Sequence, residues 1–212
     1  MIGPNDLELI RPLCGGRRHI LCPNWSSLRG VAAWVSREKP LPNHIRVLDV
    51  GACIGAFTME VLRVAENAEI DAFEPSDMAW PYLQYNLSWS NVRLHNVACS
   101  DKDGVAMLAC PDKRIGTETL HGKDGRPVRT VTIDGFISGK VDIIKIDVEG
   151  HEVEVLKGAE RTIDRWHPNL IVELVDKNQA LSGRRVEDVV NVIARHGYRN
   201  SQQITINDWI FT

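Results

Sequence analysis

At 212 residues, with 43% hydrophobic and 25% charged side chains, the chain is long enough to bury one substantial core and has a globular rather than a disordered balance. A net charge of −3 argues against a surface that as a whole grips a phosphate backbone, because such binding is largely electrostatic. No apolar run reaches the roughly 18 to 20 residues of a membrane span, and the first residues lack the basic-then-apolar order of a secretion signal, so a cytoplasmic protein without a membrane partner is expected. Five cysteines, Cys14, Cys22, Cys53, Cys99 and Cys110, include no C-x-x-C pair, which points to free thiols rather than a disulfide framework or a zinc site.

Residues 1–43 read as an N-terminal helical segment, with a helix over Ser27–Glu38 ended by Pro40-Leu-Pro42. Arg11, Arg17, Arg18, His19 and Arg29 cluster here, with Trp25 and Trp34 interleaved. That composition suits either a solvated helical face or a lid that meets an anionic ligand. Residues 44–212 then alternate strand and helix: strand Ile45–Val50, helix Ala56–Glu66, strand Glu69–Glu74, helix Asp77–Ser88 and strand Val92–Ala98. Two short strands, Val105–Ala109 and Val128–Ile133, flank a polar, glycine-bearing loop over Asp112–Arg126, a place for substrate contacts such as Arg114 and Thr117. Strand Val141–Ile146, helix Glu152–Arg165, strand Asn169–Val175, helix Val186–His196 and strands Tyr198–Ile204 and Asp208–Phe211 complete the domain. Alternation of this kind predicts a single α/β domain on a mostly parallel sheet.

Four strand ends carry the chemistry. Asp49-Val-Gly-Ala-Cys-Ile-Gly55 follows the first strand and opens a helix, so Gly51 and Gly55 let backbone approach a ligand while the helix end presents free N–H groups to an anion. The spacing is G-x-x-x-G, not the G-x-G-x-x-G of a dinucleotide site. Glu74, followed by Pro75, ends the next strand at the distance expected for a carboxylate that accepts ribose hydroxyls. Asp147, Glu149 and His151 follow a buried apolar strand, and Glu173 ends its neighbour. In-register parallel strands would converge these four, with Lys145 on the same side as Asp147, over one cleft. The plainer reading makes Asp147 or Glu149 a helix cap and Lys145 a structural ion pair.

Asp49-Val-Gly-Ala-Cys-Ile-Gly55, Phe73-Glu-Pro75, Asn96-Val-Ala98, Thr132-Ile-Asp134, Lys145-Ile-Asp-Val-Glu-Gly-His-Glu152 and Leu156-Lys-Gly-Ala159 together resemble the FkbM-type family of S-adenosylmethionine-dependent methyltransferases, over about residues 44–175. The resemblance implies a Rossmann-like methyltransferase fold, with a seven-stranded, mostly parallel sheet, an antiparallel C-terminal strand and helices on both faces. It implies S-adenosylmethionine bound by Asp49, Gly51, Ala52, Cys53, Gly55, Phe57, Thr58, Glu74, Pro75 and Asp147, with Val97, Ala98 and Cys99 flanking the adenine. Cys53 departs from the family's usual asparagine, and His151 from its frequent alanine. The family's association with O-methylation implies a hydroxyl acceptor on a small molecule or glycan.

Methyl transfer to an alcohol needs a base on the acceptor proton. Asp147 is the first candidate and His151, with its near-neutral intrinsic pKa, the second; Glu149 and Glu173 would orient the acceptor. Carboxylates gathered in one cleft also leave open a divalent cation that lowers the acceptor's pKa. Two alternatives share these residues: a ribose 2′-O-methyltransferase acting on RNA, favoured by the basic N-terminus and the Lys145, Asp147 and Glu173 set, and a cofactor-binding module without catalysis. Oligomeric state has no marker in the sequence.

Overall fold

In the computed structural model the described residues are 8–10, 20–22 and 44–212 except 112 and 123. The helix expected at Ser27–Glu38, the basic cluster Arg11, Arg17, Arg18, His19 and Arg29, and the tryptophans Trp25 and Trp34 lie outside them. Strands β1 (Glu8–Ile10) and β2 (Ile20–Cys22) form a small antiparallel pair.

From residue 44 onward the hydrophobic periodicity is obeyed closely. Strand β3 (Arg46–Val50) leads into α1 (Ala56–Val64), β4 (Glu69–Phe73) into α2 (Trp80–Leu87) and then β5 (Arg93–His95). Next come β6 (Ala98–Cys99), β7 (Gly104–Ala109), β8 (Gly125–Val131) and the one-turn helix α3 (Ile133–Phe136). Strand β9 (Ile143–Ile146) precedes α4 (Glu152–Lys157) and α5 (Glu160–Trp166). The chain continues through β10 (Asn169–Glu173), α6 (Asp176–Leu181), α7 (Val186–Arg195), β11 (Ser201–Gln203) and β12 (Asp208–Phe211).

The main sheet runs β11-β12-β10-β9-β3-β4-β5. Only β12 opposes its neighbours; the β10–β9, β9–β3, β3–β4 and β4–β5 pairs are parallel. This is the expected α/β, Rossmann-like, mostly parallel seven-stranded sheet with an antiparallel C-terminal strand. Alternate residues of each strand bury against opposite helical layers. Leu48, Val50, Ile144, Ile146, Leu170 and Val172 meet Val153, Leu156, Ile163, Val189 and Ile193. On the other face Val47, Ile70, Ile143 and Ile171 meet Phe57 and Val61 of α1. Chain order reverses between β3 and β9, so the carboxyl ends of these two strands frame the crevice where open α/β sheets bind ligands.

Three expected elements are corrected by the structure. The helix expected over Glu152–Arg165 is two helices, because at Gly158 the chain presses on Ser100: a Cβ there would lie 1.9 Å from the Ser100 carbonyl oxygen. The strand expected at Val92–Ala98 divides into β5, in the main sheet, and β6, which leaves to pair with β8 in a second sheet of order β6-β8-β7. The strand expected at Val128–Ile133 begins at Gly125 and stops at Val131, since Thr132 caps α3 by accepting from Gly135 N at 3.1 Å. Helix α6, in a polar stretch without clear periodicity, was not anticipated. His95, without an assigned role in the sequence, joins Arg93 and Arg46 around the buried Asp71, at 2.9, 2.8 and 3.2 Å.

Candidate active site

The glycine loop is shaped by close backbone approach. Gly51 sits at φ 78°, and a Cβ on it would lie 1.8 Å from the Asp147 carbonyl oxygen. The amides of Gly51 and Ala52 both donate to Phe73 O at 3.0 Å, which locks the loop to the end of β4. Beneath it, Asp49 Oδ2 accepts from Thr58 Oγ1 at 2.7 Å. Lys145 Nζ donates to Gly51 O at 2.7 Å and lies 3.3 Å from Asp147 Oδ2 and 3.5 Å from Asp49 Oδ1. Burial opposes the charge on Lys145, but Asp147 and Asp49 together outweigh it and hold the ammonium well above its ordinary pKa. Asp49 Oδ1 is buried and makes no hydrogen bond, the ion pair with Lys145 aside.

Glu74 accepts from Cys53 N through Oε2 and from Ser76 N through Oε1, both at 2.7 Å. One carboxylate thereby ties the glycine loop to the turn before α2, and each oxygen keeps a further lone pair. Burial, only partly offset by those two donors, raises its pKa to about 7. Cys53 adopts φ 52°, left-handed for a non-glycine residue, a conformation that asparagine tolerates better than cysteine. Asn96 Nδ2 donates to Glu74 O at 2.9 Å and so supports this turn.

Asp147, Glu149 and Glu173 bring carboxylate oxygens within 4.8 Å of one another. Glu149 is held at φ 54°. Asn178 on α6 donates to Glu149 Oε2 at 2.7 Å and to Glu173 Oε2 at 3.4 Å. Burial and then the charge of Asp147 raise Glu149 to about 8 and Glu173 to about 9, and the same two causes raise Asp208, which stands opposite Glu173 in the β10–β12 register. Like charges packed in a low-dielectric cleft cannot all ionise at neutral pH. Neither Asn178 nor Asp208 carried a sequence signal, and both reach the site only through the chain path.

His151 is buried, with Nε2 2.9 Å from Ser100 Oγ and Nδ1 3.0 Å from His121 Nε2. Burial lowers its pKa to about 4. Both ring nitrogens thus have protein partners, an arrangement the sequence did not indicate. The connection between β7 and β8 closes over the sheet end: Glu118 accepts from Ser76 Oγ and from Gly116 N, and Thr119 Oγ1 donates to Glu149 O at 2.9 Å.

These elements enclose a pocket of about 240 Å³. On one side stand Gly51, Ala52, Cys53, Phe57, Glu74 and Pro75, with Val97, Ala98 and Cys99 beside them; on the other stand Lys145, Asp147, Glu149, His151 and Glu173. Glu118, Leu108, Leu120 and Asp208 complete the lining. Asp49, Gly55 and Thr58 are not in the wall. The first and last support it from below, and Gly55 packs toward Leu83 and Leu87 of α2. Arg114 and Thr117 are also outside the lining. Among the described residues, metal-ligating side chains gather in two groups, Asp147 with Glu149 and Glu173, and His121 with His151 and Glu154.

A sheet of this order, with a glycine loop after its first core strand, a carboxylate ending the second and acidic groups ending the next two, is the framework of the Rossmann-like methyltransferases. Residues 49–200 match the model of the Methyltransferase FkbM domain, and the chain belongs to that family of methyltransferases. It is 27% identical over 169 residues to Methyltransferase 1 of Beauveria bassiana, covering 65% of this chain and 67% of that protein. It is 29% identical over 117 residues to the hexuronic acid methyltransferase AglP of Haloferax volcanii, covering 52% of this chain and 48% of that one. Its fold matches the crystal structure of Methyltransferase FkbM from Methylobacillus flagellatus with a TM-score of 0.60 at 17% identity, over 85% of this chain. The chain spans about half the length of that structure, 48%. Among the described residues no helix is long and apolar enough to cross a membrane.

Proposed function

We propose that the chain transfers a methyl group from S-adenosylmethionine to a hydroxyl of a small molecule or glycan, a sugar acid being the first class to test. The observation that carries this reading is the single pocket in which a close-packed glycine loop and Glu74 face an acidic cluster at the ends of β9 and β10. The residues fit the cofactor. Gly51 brings bare backbone into the pocket wall where its lack of a side chain lets it pack on Asp147, Glu74 keeps lone pairs for two ribose hydroxyls, Val97 and Leu108 offer apolar contact to a base, and Asp49 Oδ1, the ion pair with Lys145 aside, makes no hydrogen bond. When bound, S-adenosylmethionine would supply an electrophilic methyl carbon on a sulfonium, to which the acceptor oxygen would bond as the carbon–sulfur pair departs with the thioether of S-adenosylhomocysteine.

The chain's part is to hold the acceptor in line and take its proton. Asp147 is assigned that proton: it stands at the strand end, with Lys145 Nζ 3.3 Å from its Oδ2. Glu149 and Glu173, largely protonated at neutral pH by their raised pKa values, donate hydrogen bonds to the acceptor's oxygens. His151, neutral and held through both nitrogens, shapes the wall instead of serving as base. The relative named as a hexuronic acid methyltransferase supports a sugar-acid acceptor. The chain's net charge of −3 disfavours a polyanionic RNA acceptor.

Calorimetry with S-adenosylhomocysteine, followed by methyl transfer to uronic acid glycosides, tests the reading. Asp147→Asn is expected to lower turnover by about 10²–10⁴-fold with a much smaller change in cofactor affinity. Equal losses of both would make Asp147 a binding residue, and no S-adenosylhomocysteine binding to the folded protein would overturn the assignment.

A further inference from the structure

We infer that His121, His151 and Glu154 form a binding site for one zinc-like divalent cation, which clasps the β7–β8 connection onto the turn between β9 and α4. The donor atoms lie within 4.8 Å of one another, His151 Nδ1 being 3.0 Å from His121 Nε2 and 3.6 Å from Glu154 Oε2. Tetrahedral zinc with bonds of about 2.0–2.1 Å separates neighbouring donor atoms by about 3.3 Å, a value bracketed by these two distances. Two imidazoles and one carboxylate suit zinc, whereas the all-oxygen cluster of Asp147, Glu149 and Glu173 suits harder cations.

The hydrogen bonding around the triad prepares it for a metal. Ser100 Oγ donates to Asp101 Oδ1 at 3.2 Å, so toward His151 Nε2, at 2.9 Å, it acts as acceptor. With its proton on Nε2, His151 turns the lone pair of Nδ1 toward His121. Metal-bound histidines characteristically spend their other N–H in this way. Arg184 pairs with both oxygens of Glu154, donating to Oε2 at 2.7 Å. It fixes the carboxylate while leaving a second lone pair on Oε2. Its positive charge opposes the cation, and Glu154 and Asp101 oppose Arg184. The alternative occupant of the gap between the two nitrogens is a single shared proton.

Clasping would matter to the pocket, since His121 lies on the segment that also delivers Glu118 and Leu120 to its lining, and His151 is itself in the wall. The site does not depend on the methyl acceptor or on S-adenosylmethionine. The full chain, stripped with a chelator and shown folded by circular dichroism, should be titrated with Zn²⁺ against a competing indicator and with Co²⁺ by visible absorption. The expected result is one ion per chain, d–d bands of a low-coordinate site, and a higher Tm with Zn²⁺. His121→Ala and Glu154→Gln should each weaken binding at least about tenfold, and Glu173→Gln should leave it unchanged. Two results overturn the proposal. One is a folded chain that takes up no ion, which leaves the histidine pair sharing a proton. The other is uptake insensitive to His121→Ala and Glu154→Gln, which places the ion elsewhere, at the acidic cluster if Glu173→Gln abolishes it.

Discussion

Replacing Gly51 with alanine measures how tightly the glycine loop is pressed against the turn that presents Asp147. The added Cβ would lie 1.8 Å from the Asp147 carbonyl oxygen, where contacts under 3.0 Å are essentially never seen, so the two segments must part by more than 1 Å. Residue 51 also stays at a positive φ of 78°, which costs an L-residue about 1–2 kcal/mol. Parting the segments threatens the bonds from Asp147 N to Val50 O, at 3.0 Å, and from Lys145 Nζ to Gly51 O, at 2.7 Å. Losing one of them adds about 1–3 kcal/mol. The total of about 2–5 kcal/mol corresponds to a fall in Tm of about 4–20 °C for a domain of this size. Gly183 supplies the internal control. It has a similar φ of 73° but nothing within 4 Å of a built Cβ, so Gly183→Ala should cost only the conformational part, about 2–8 °C. Thermal unfolding followed by circular dichroism, with S-adenosylhomocysteine affinity measured alongside, reads both variants. Equal Tm values for the two would refute the argument that close approach to Asp147, rather than φ alone, requires glycine at 51.

Stability of the ligand-free protein should fall as pH rises from about 6.5 to 9. Glu173, Glu149 and Glu74 are raised to about 9, about 8 and about 7 from an ordinary 4.5, so the folded state binds more protons than the unfolded one through this window. Below about 6.5 the lowered pKa of His151 works the other way, stabilising as pH rises. Each pH unit over which unfolding releases one extra proton costs about 1.4 kcal/mol, so differential scanning calorimetry should show a decline of several degrees, shallower in Glu173→Gln. A Tm that is flat or rising over that range contradicts the buried acidic cluster. Glu74→Gln puts an amide where the carboxylate accepts from Cys53 N and Ser76 N, and should weaken S-adenosylhomocysteine by about 1–3 kcal/mol. An unchanged dissociation constant would place the ribose elsewhere.

The strands and helices that form the sheet, the glycine loop, Glu74 and the three acidic strand ends were legible in the amino-acid order because their signals are local. The apolar run over Ile143–Ile146, glycine spacing after Asp49 and a proline at 75 each act within a few residues. In-register parallel strands then suffice to bring Asp49, Lys145 and Asp147 together. Whatever depended on distant segments was not legible. Asn178 meets Glu149 across 29 residues, and His121 meets His151 across 30. The helix after His151 breaks at Gly158, where Ser100 lies against it and Asp134, distant in sequence, accepts from the amides of Arg161 and Thr162. Glu173 owes its raised pKa to Asp147 and Glu149 as well as to burial, and His151 loses its basicity to burial between α4 and the β7–β8 connection. Local order carries backbone preference and periodicity, which short windows encode; burial, hydrogen-bond partners and charge state belong to the neighbours a residue acquires when the chain closes on itself, and these set which of the candidate groups can move a proton.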